Sequence, residues 1–108
     1  MIIVTGEVRF AEGEIGRLKE AMAKNIAATR AEPGCARYHY GIDLLDPNRI
    51  VVSEEWSDET ALDEHMQSPH MAEFMAAFGA AKIEYAAIHG YEAHYLKTVV
   101  GAPPPAGD

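Results

Sequence analysis

The fold is decided by residues 32–76, which read EPGCARYHYGIDLLDPNRIVVSEEWSDETALDEHMQSPHMAEFMA. The Pro-Gly pair at 33–34 stands where helices usually end. Alternating apolar and polar residues then predict one strand over 35–44 and another over 50–56. The DPN sequence at 46–48 predicts the connecting turn, because proline favours the first central position of a turn. The two strands therefore form a hairpin.

The remainder of this stretch predicts a helix that breaks and restarts. Ser57 precedes two acidic residues, and a hydroxyl cap followed by negative charge is typical of a helix N-terminus. Ser68 and Pro69 predict a second start, because proline is tolerated in the first turn of a helix. Seven side chains form the predicted inward stripe of the two segments: Leu62, His65, Met66, Met71, Phe74, Met75 and Phe78.

The flanking segments complete a recognisable order of elements. Apolar residues at even spacing predict a first strand over 2–10, and a period of three to four residues predicts an amphipathic helix from Glu12 to the Pro-Gly pair. Residues 88–100 are rich in aromatic and β-branched side chains and predict a last strand. The order β-α-β-β-α-β predicts an α+β, ferredoxin-like fold, with a four-stranded antiparallel sheet and helices on one side.

Length and composition limit the classes of partner. The 108 residues suffice for one domain, which we assign to residues 1–100, with a disordered Pro- and Gly-rich tail over 101–108. The net charge of -8 disfavours nucleic acid and anionic membranes. A single cysteine and no signal-like or membrane-spanning segment predict a cytoplasmic protein. Apolar residues on both faces of the first and third strands predict a homodimer packed sheet to sheet.

Five histidines raise the question of a metal site. His65 and His70 are separated by the predicted helix break, and His89 and His94 fall on opposite faces of the last predicted strand. Neither pair is expected to chelate locally, and the known short metal-binding motifs do not occur. We therefore predict no bound metal.

Four groups of residues occur together: Glu32-Pro33-Gly34-Cys35 leading to Tyr38, Glu54-x-Trp56, Ala61-Leu62-Asp63-x-His65, and Ser68-Pro69-His70 with Phe74. In these groups the chain resembles the antibiotic biosynthesis monooxygenase (ABM) domain family. The resemblance covers about residues 2–97 and implies a dimeric α+β barrel. It also implies a monooxygenase that oxidises a small phenolic, quinol or anthrone-like aromatic with molecular oxygen and no cofactor. A non-catalytic dimeric binding module for a hydrophobic metabolite and an isomerase of the same fold are alternatives.

The resemblance also implies roles for individual residues. Cofactor-free oxygenation needs a base near neutral pH and a donor for the developing oxyanion. We assign these roles to His65, whose side-chain type titrates in that range, and to Tyr38; each is equally a candidate for a purely structural position. Trp56 is either a cavity wall or a core residue. Six residues are predicted to bind the aromatic substrate: Trp56, Glu54, Tyr40, Phe74, Phe78 and His70.

Overall fold

A computed structural model describes residues 1–104, which form a four-stranded antiparallel sheet with three helices against one face. The strand order is β2-β3-β1-β4, so the first and third strands lie at the centre. This is the predicted ferredoxin-like topology, and the predicted helix break is also confirmed. The elements are β1 Ile2–Phe10, α1 Glu14–Arg30, β2 Cys35–Asp43, β3 Asp46–Trp56, α2 Glu59–Met66, α3 Pro69–Gly79 and β4 Ile83–Glu92.

The inner face of the sheet carries the core. Residues at even positions of β1 face the helices and meet matching residues of β3, with Val8 opposite Ile50 and Ile2 opposite Trp56. The helices that cover this face are α1 and α3, whose buried side chains join those of β1 and β3 in one apolar cluster. Helix α1 also buries a polar side chain, Asn25.

A glycine sets how closely β4 approaches the centre of the sheet. Gly6 of β1 lies opposite Ile88 of β4. A β-carbon at Gly6 would collide with the carbonyl oxygen of Ala87, so only glycine permits this backbone separation. The helices leave β4 uncovered: nearly all of its residues are exposed. Ala86, Ile88 and Gly90 consequently face open space on the inner side of the sheet.

The predicted hairpin turn is wrong in position. The turn lies at Leu44 and Leu45, and residues 46–48 already belong to β3. The side chain of Asp43 accepts a hydrogen bond from the amide of Leu45 at 2.8 Å, which stabilises this tighter turn. Pro47 is accommodated because the ladder between β2 and β3 shifts register at this end and β1 pairs only with residues 49–56.

The limits of the last strand were also predicted incorrectly. The sequence placed it at 88–100, whereas β4 begins at Ile83 and ends at Glu92. Pairing with β1 sets these limits of β4, because Phe10 pairs with Ile83 and Ile2 pairs with Glu92 at the two ends of β1. Beyond this partner, residues 93–104 contain no regular helix or strand. The predicted disordered tail therefore falls partly on residues 105–108, which lie outside the described residues.

Side chains cap the N-termini of α2 and α3. Asp58, one residue after the predicted Ser57, caps α2 by accepting a hydrogen bond from the amide of Ala61 at 2.8 Å. Ser68 caps α3 as predicted, with Pro69 in the first turn. Within residues 1–104, no helix has both the length and the apolar character needed to cross a bilayer.

Candidate active site

A cavity of about 450 Å³ lies between the inner face of the sheet and helices α2 and α3. This volume falls within the range of small-molecule sites, roughly 300–1,000 Å³. Its lining is mostly aliphatic and aromatic, with a small group of polar side chains at one end. The polar or titratable residues in the lining are Tyr38, Tyr40, Glu54, Asp63 and His65.

His65 is the most constrained polar residue at the cavity. It lies on α2, is only 1% exposed, and packs against Trp56 with ring centroids 4.7 Å apart. Its Nδ1 atom is 2.8 Å from the Oε2 atom of Glu32. Because an ionised carboxylate can only accept, Nδ1 carries a proton in this contact, and in the neutral form of the ring the lone pair is then on Nε2. No side-chain or backbone partner for Nε2 is found in the part of the chain described.

Glu32 reaches His65 from the loop between α1 and β2. Gly34, two residues after Glu32, allows this loop to approach α2 closely. A β-carbon at Gly34 would collide with the methyl group of Ala61 on α2. The carbonyl oxygen of Gly34 also accepts a hydrogen bond from the amide of Ser57 at 2.9 Å. The Glu-Pro-Gly-Cys motif therefore holds the loop against the start of α2.

The helix break brings a second histidine to the same carboxylate. His70 lies in the first turn of α3, and its Nε2 atom is 2.9 Å from Oε2 of Glu32. The ligand atoms of Glu32, His65 and His70 all lie within 4.8 Å of one another. Sequence spacing alone did not predict this approach, because the restart at Ser68 redirects the chain and a third residue from another loop joins the two histidines.

A chain of hydrogen bonds leads from α1 to the cavity through two tyrosines. The Nδ2 atom of buried Asn25 lies 3.2 Å from the hydroxyl of Tyr38, which lies 2.6 Å from the hydroxyl of Tyr40. Burial raises the pKa of Tyr38 far above its ordinary range and that of Tyr40 to about 12. Both hydroxyls therefore remain protonated at neutral pH. Asn25 donates to Tyr38, and either tyrosine hydroxyl can donate to the other. When Tyr38 donates to Tyr40, the proton of Tyr40 is left for a ligand.

Glu54 is a buried carboxyl at the same end of the cavity. It is 7% exposed, and its Oε1 atom accepts a hydrogen bond from Trp56 Nε1 at 2.9 Å. Burial raises the pKa of Glu54, and the indole donor offsets only part of that rise. Arg37 does not neutralise Glu54, because it pairs with Glu55 on the outer face of the sheet.

The cavity gathers six of the eight residues that the sequence singled out. Trp56 lies behind Glu54 and His65 rather than in the lining, and His70 lies on the far side of Glu32. Glu32 and Asn25 were missed as site residues, although Glu32 heads the Glu-Pro-Gly-Cys motif and Asn25 continues the inward stripe of α1. The six in the lining are Tyr38, Tyr40, Glu54, His65, Phe74 and Phe78.

Comparison with known proteins identifies the family to which the chain is similar. The sequence profile described as Antibiotic biosynthesis monooxygenase matches residues 1–77. An uncharacterized protein of Synechocystis, sll1783, is 30% identical over 68% of this chain and 50% of its own length. The chain thus spans half the length of that relative. An Escherichia coli protein named "Probable quinol monooxygenase YgiN" is 29% identical over 71% of this chain and 84% of its own length.

The fold is shared with solved structures as well. A Deinococcus radiodurans protein superposes with a TM-score of 0.85 and 25% sequence identity, covering 94% of this chain and all of that one. The superposition extends well beyond residue 77, so it includes the last strand as well as the segments that the family profile matches.

Proposed function

Because the chain belongs to the antibiotic biosynthesis monooxygenase family, we propose that it is a cofactor-independent monooxygenase acting on a small phenolic, quinol or anthrone-like aromatic. One observation carries the proposal. Buried His65 lines an apolar cavity and is held through Nδ1 by Glu32, which leaves Nε2 as the ring nitrogen free to act on a bound ligand. An imidazole in this arrangement can remove a proton from a bound ligand.

The base acts on an acidic O–H or C–H bond of the substrate. Nε2 of His65 takes the proton, and the imidazolium that forms is stabilised by the Glu32 carboxylate, which already accepts from Nδ1. Glu32 does not line the cavity. Its role is therefore to position and stabilise the ring, in the same way that a carboxylate orients a catalytic histidine in other enzymes.

The negative charge that develops on the substrate oxygen needs a donor. Tyr40 lines the cavity and ends the hydrogen-bond chain from Asn25 and Tyr38, so its hydroxyl is the donor that we assign. Burial raises the pKa of Glu54, and the protonated form of this carboxyl can supply a second O–H group. Both groups favour a substrate with oxygen atoms at separate points of one aromatic frame.

The electrons come from the substrate itself. The substrate anion transfers one electron to O₂, the resulting radical and superoxide combine into a carbon-bound peroxide, and loss of water leaves a new carbonyl group. For an anthrone, one CH₂ group and one O₂ give one C=O group and one water. For a quinol, the products are a hydroxylated quinone and one water. One oxygen atom enters the product in each case.

The proposed assembly is a homodimer. The outer face of the sheet exposes Val51, Tyr85 and Tyr91 at roughly half of their surface, on two different strands. Burying aromatic and aliphatic side chains of this kind favours association of two sheets. Such a dimer leaves the cavity of each chain on the opposite, inner face.

Oxygen uptake tests the proposal. Purified protein is mixed with menadiol or an anthrone under air, and the wild-type rate is compared with that of His65→Gln, which preserves the size of the side chain. We expect the variant to lose about 10²–10⁴-fold in kcat. A wild-type rate no higher than that of the variant contradicts the oxygenase. Saturable binding of the same aromatics with no oxygen uptake supports instead a dimeric module that holds a hydrophobic metabolite.

A further inference from the structure

We propose that Glu32, His65 and His70 bind one Zn²⁺ ion on the side of His65 that faces away from the cavity. The three residues come from three separate segments, the α1–β2 loop, α2 and α3, and their ligand atoms converge within 4.8 Å. The proposed oxygenation accounts for the contact between Glu32 and His65, but it leaves unexplained why His70, which does not line the cavity, approaches the same carboxylate oxygen.

The ligand set favours zinc. Two imidazole nitrogens and one carboxylate oxygen match the His₂Glu sets that bind Zn²⁺ with a water molecule as the fourth ligand. The ring nitrogens now lie 2.8 and 2.9 Å from one carboxylate oxygen. Tetrahedral zinc bonds of about 2.0–2.1 Å place ligands roughly 3.3 Å apart, so each nitrogen must retreat by about 0.5 Å.

The surroundings allow that adjustment and an approach from solvent. The side chains of Glu32 and His70 are 17% and 22% exposed, whereas His65 is buried. His70 lies in the first turn of α3, and its Nε2 atom is also 3.2 Å from the hydroxyl of Ser68, a contact that zinc would replace. The ion would therefore enter past Glu32 and His70 and keep its water ligand on the solvent side.

The position of the site also predicts what zinc does. In the metal-free chain, Nδ1 of His65 carries the proton and Nε2 is basic. Zinc at Nδ1 displaces that proton, and a neutral ring then carries its single proton on Nε2. The nitrogen at the cavity becomes a donor and can no longer accept a proton. Zinc would thus inhibit the enzyme, a consequence that rests on the proposed function, whereas the binding does not.

Isothermal titration calorimetry of tag-free protein with ZnCl₂ tests the binding directly. We expect one Zn²⁺ per chain and an affinity that falls by more than about 100-fold in Glu32→Gln and in His70→Ala. The matched control is the combined variant His39→Ala, His89→Ala, His94→Ala, which removes the three exposed histidines and should bind one ion with unchanged affinity. Thermal melts establish that each variant is folded.

Three results decide between the site and surface binding. Anomalous scattering at the zinc edge should show one peak among Glu32, His65 and His70. Wild-type affinity in both site variants, or loss of binding in the exposed-histidine variant, overturns the proposal. If zinc binds as expected but no aromatic substrate is oxidised under any condition, the zinc site stands and the proposed function fails.

Discussion

The two ends of the cavity differ in what their side chains do. At the apolar end, Phe10 and Phe78 meet edge to face at 5.7 Å and join one continuous aliphatic cluster. At the polar end, buried His65, Tyr38 and Glu54 are held by hydrogen bonds. The apolar residues therefore stabilise the fold, whereas the adjacent polar residues can act on a ligand. Burying polar groups adds little net stability even when each is paired.

Removing the central side chain of the apolar end should have the largest effect. Phe10→Ala deletes a ring that is 1% exposed, and we expect the free energy of unfolding to fall by about 3–5 kcal/mol. Chemical denaturation measures this value. Leu44→Ala is the matched control, since Leu44 is fully exposed in the hairpin turn and its loss should change stability by less than about 0.5 kcal/mol. Equal losses in both variants would contradict the assigned core.

At the polar end, Tyr40→Phe removes one hydroxyl and leaves the ring in place. We expect kcat for oxygen uptake to fall by roughly 10²–10³-fold, because the variant lacks the donor to the developing oxyanion. Tyr91→Phe makes the same chemical change on the exposed outer face and should leave kcat unchanged. A wild-type kcat in Tyr40→Phe would transfer the donor role to another group.

A third prediction concerns Glu32, whose charge can be removed by Glu32→Gln without changing the size of the side chain. Glu32→Gln should lower kcat by about tenfold, less than loss of the base itself, because a neutral amide stabilises the imidazolium poorly. KM should not change, since Glu32 does not line the cavity. Glu64→Gln, an exposed change on the same helix as His65, is the control. An altered KM with an unchanged kcat would contradict a positioning role.

The smallest effect is expected on the free energy of unfolding of Glu54→Gln, and this effect depends on pH. Burial raises the pKa of Glu54 in the folded chain above its ordinary value of 4.5. At a pH between the ordinary and the raised pKa, the folded chain keeps a proton that the unfolded chain has released. The free energy of unfolding of the wild type therefore falls as pH rises through this window. The variant lacks this titration. It should match the wild type in acid and be more stable above the window, and denaturation across pH measures the difference.

The sequence predicted the central elements better than the edges. The strand period of residues 2–10 and the Ser-Pro restart at 68–69 are local signals, and both were correct. The last strand was misplaced because its limits follow from pairing with β1 and from the close approach at Gly6. The hairpin turn was misplaced because the register shift that accommodates Pro47 depends on β2.

The candidate site likewise contains residues that the sequence could predict and contacts that it could not. Side chains on the inward faces of helices and strands, such as His65, Tyr40 and Phe74, could be selected from periodicity together with the family resemblance. The contact between Glu32 and His65 joins residues 33 positions apart through a loop. No periodic pattern encodes that contact. The same holds for the pair formed by Asn25 and Tyr38, which depends on how α1 lies across the sheet.

The tautomer of His65 in the metal-free protein tests the central claim most directly. Ring ¹⁵N NMR of imidazole-labelled protein at neutral pH, with His65 assigned by comparison with His65→Gln, distinguishes protonated from unprotonated nitrogens. The hydrogen bond to Glu32 predicts a proton on Nδ1 and an unprotonated Nε2 that shifts when an aromatic ligand is added. A proton on Nε2 of the neutral ring, or no response of that nitrogen to any cavity ligand, would contradict the assignment of His65 as the base.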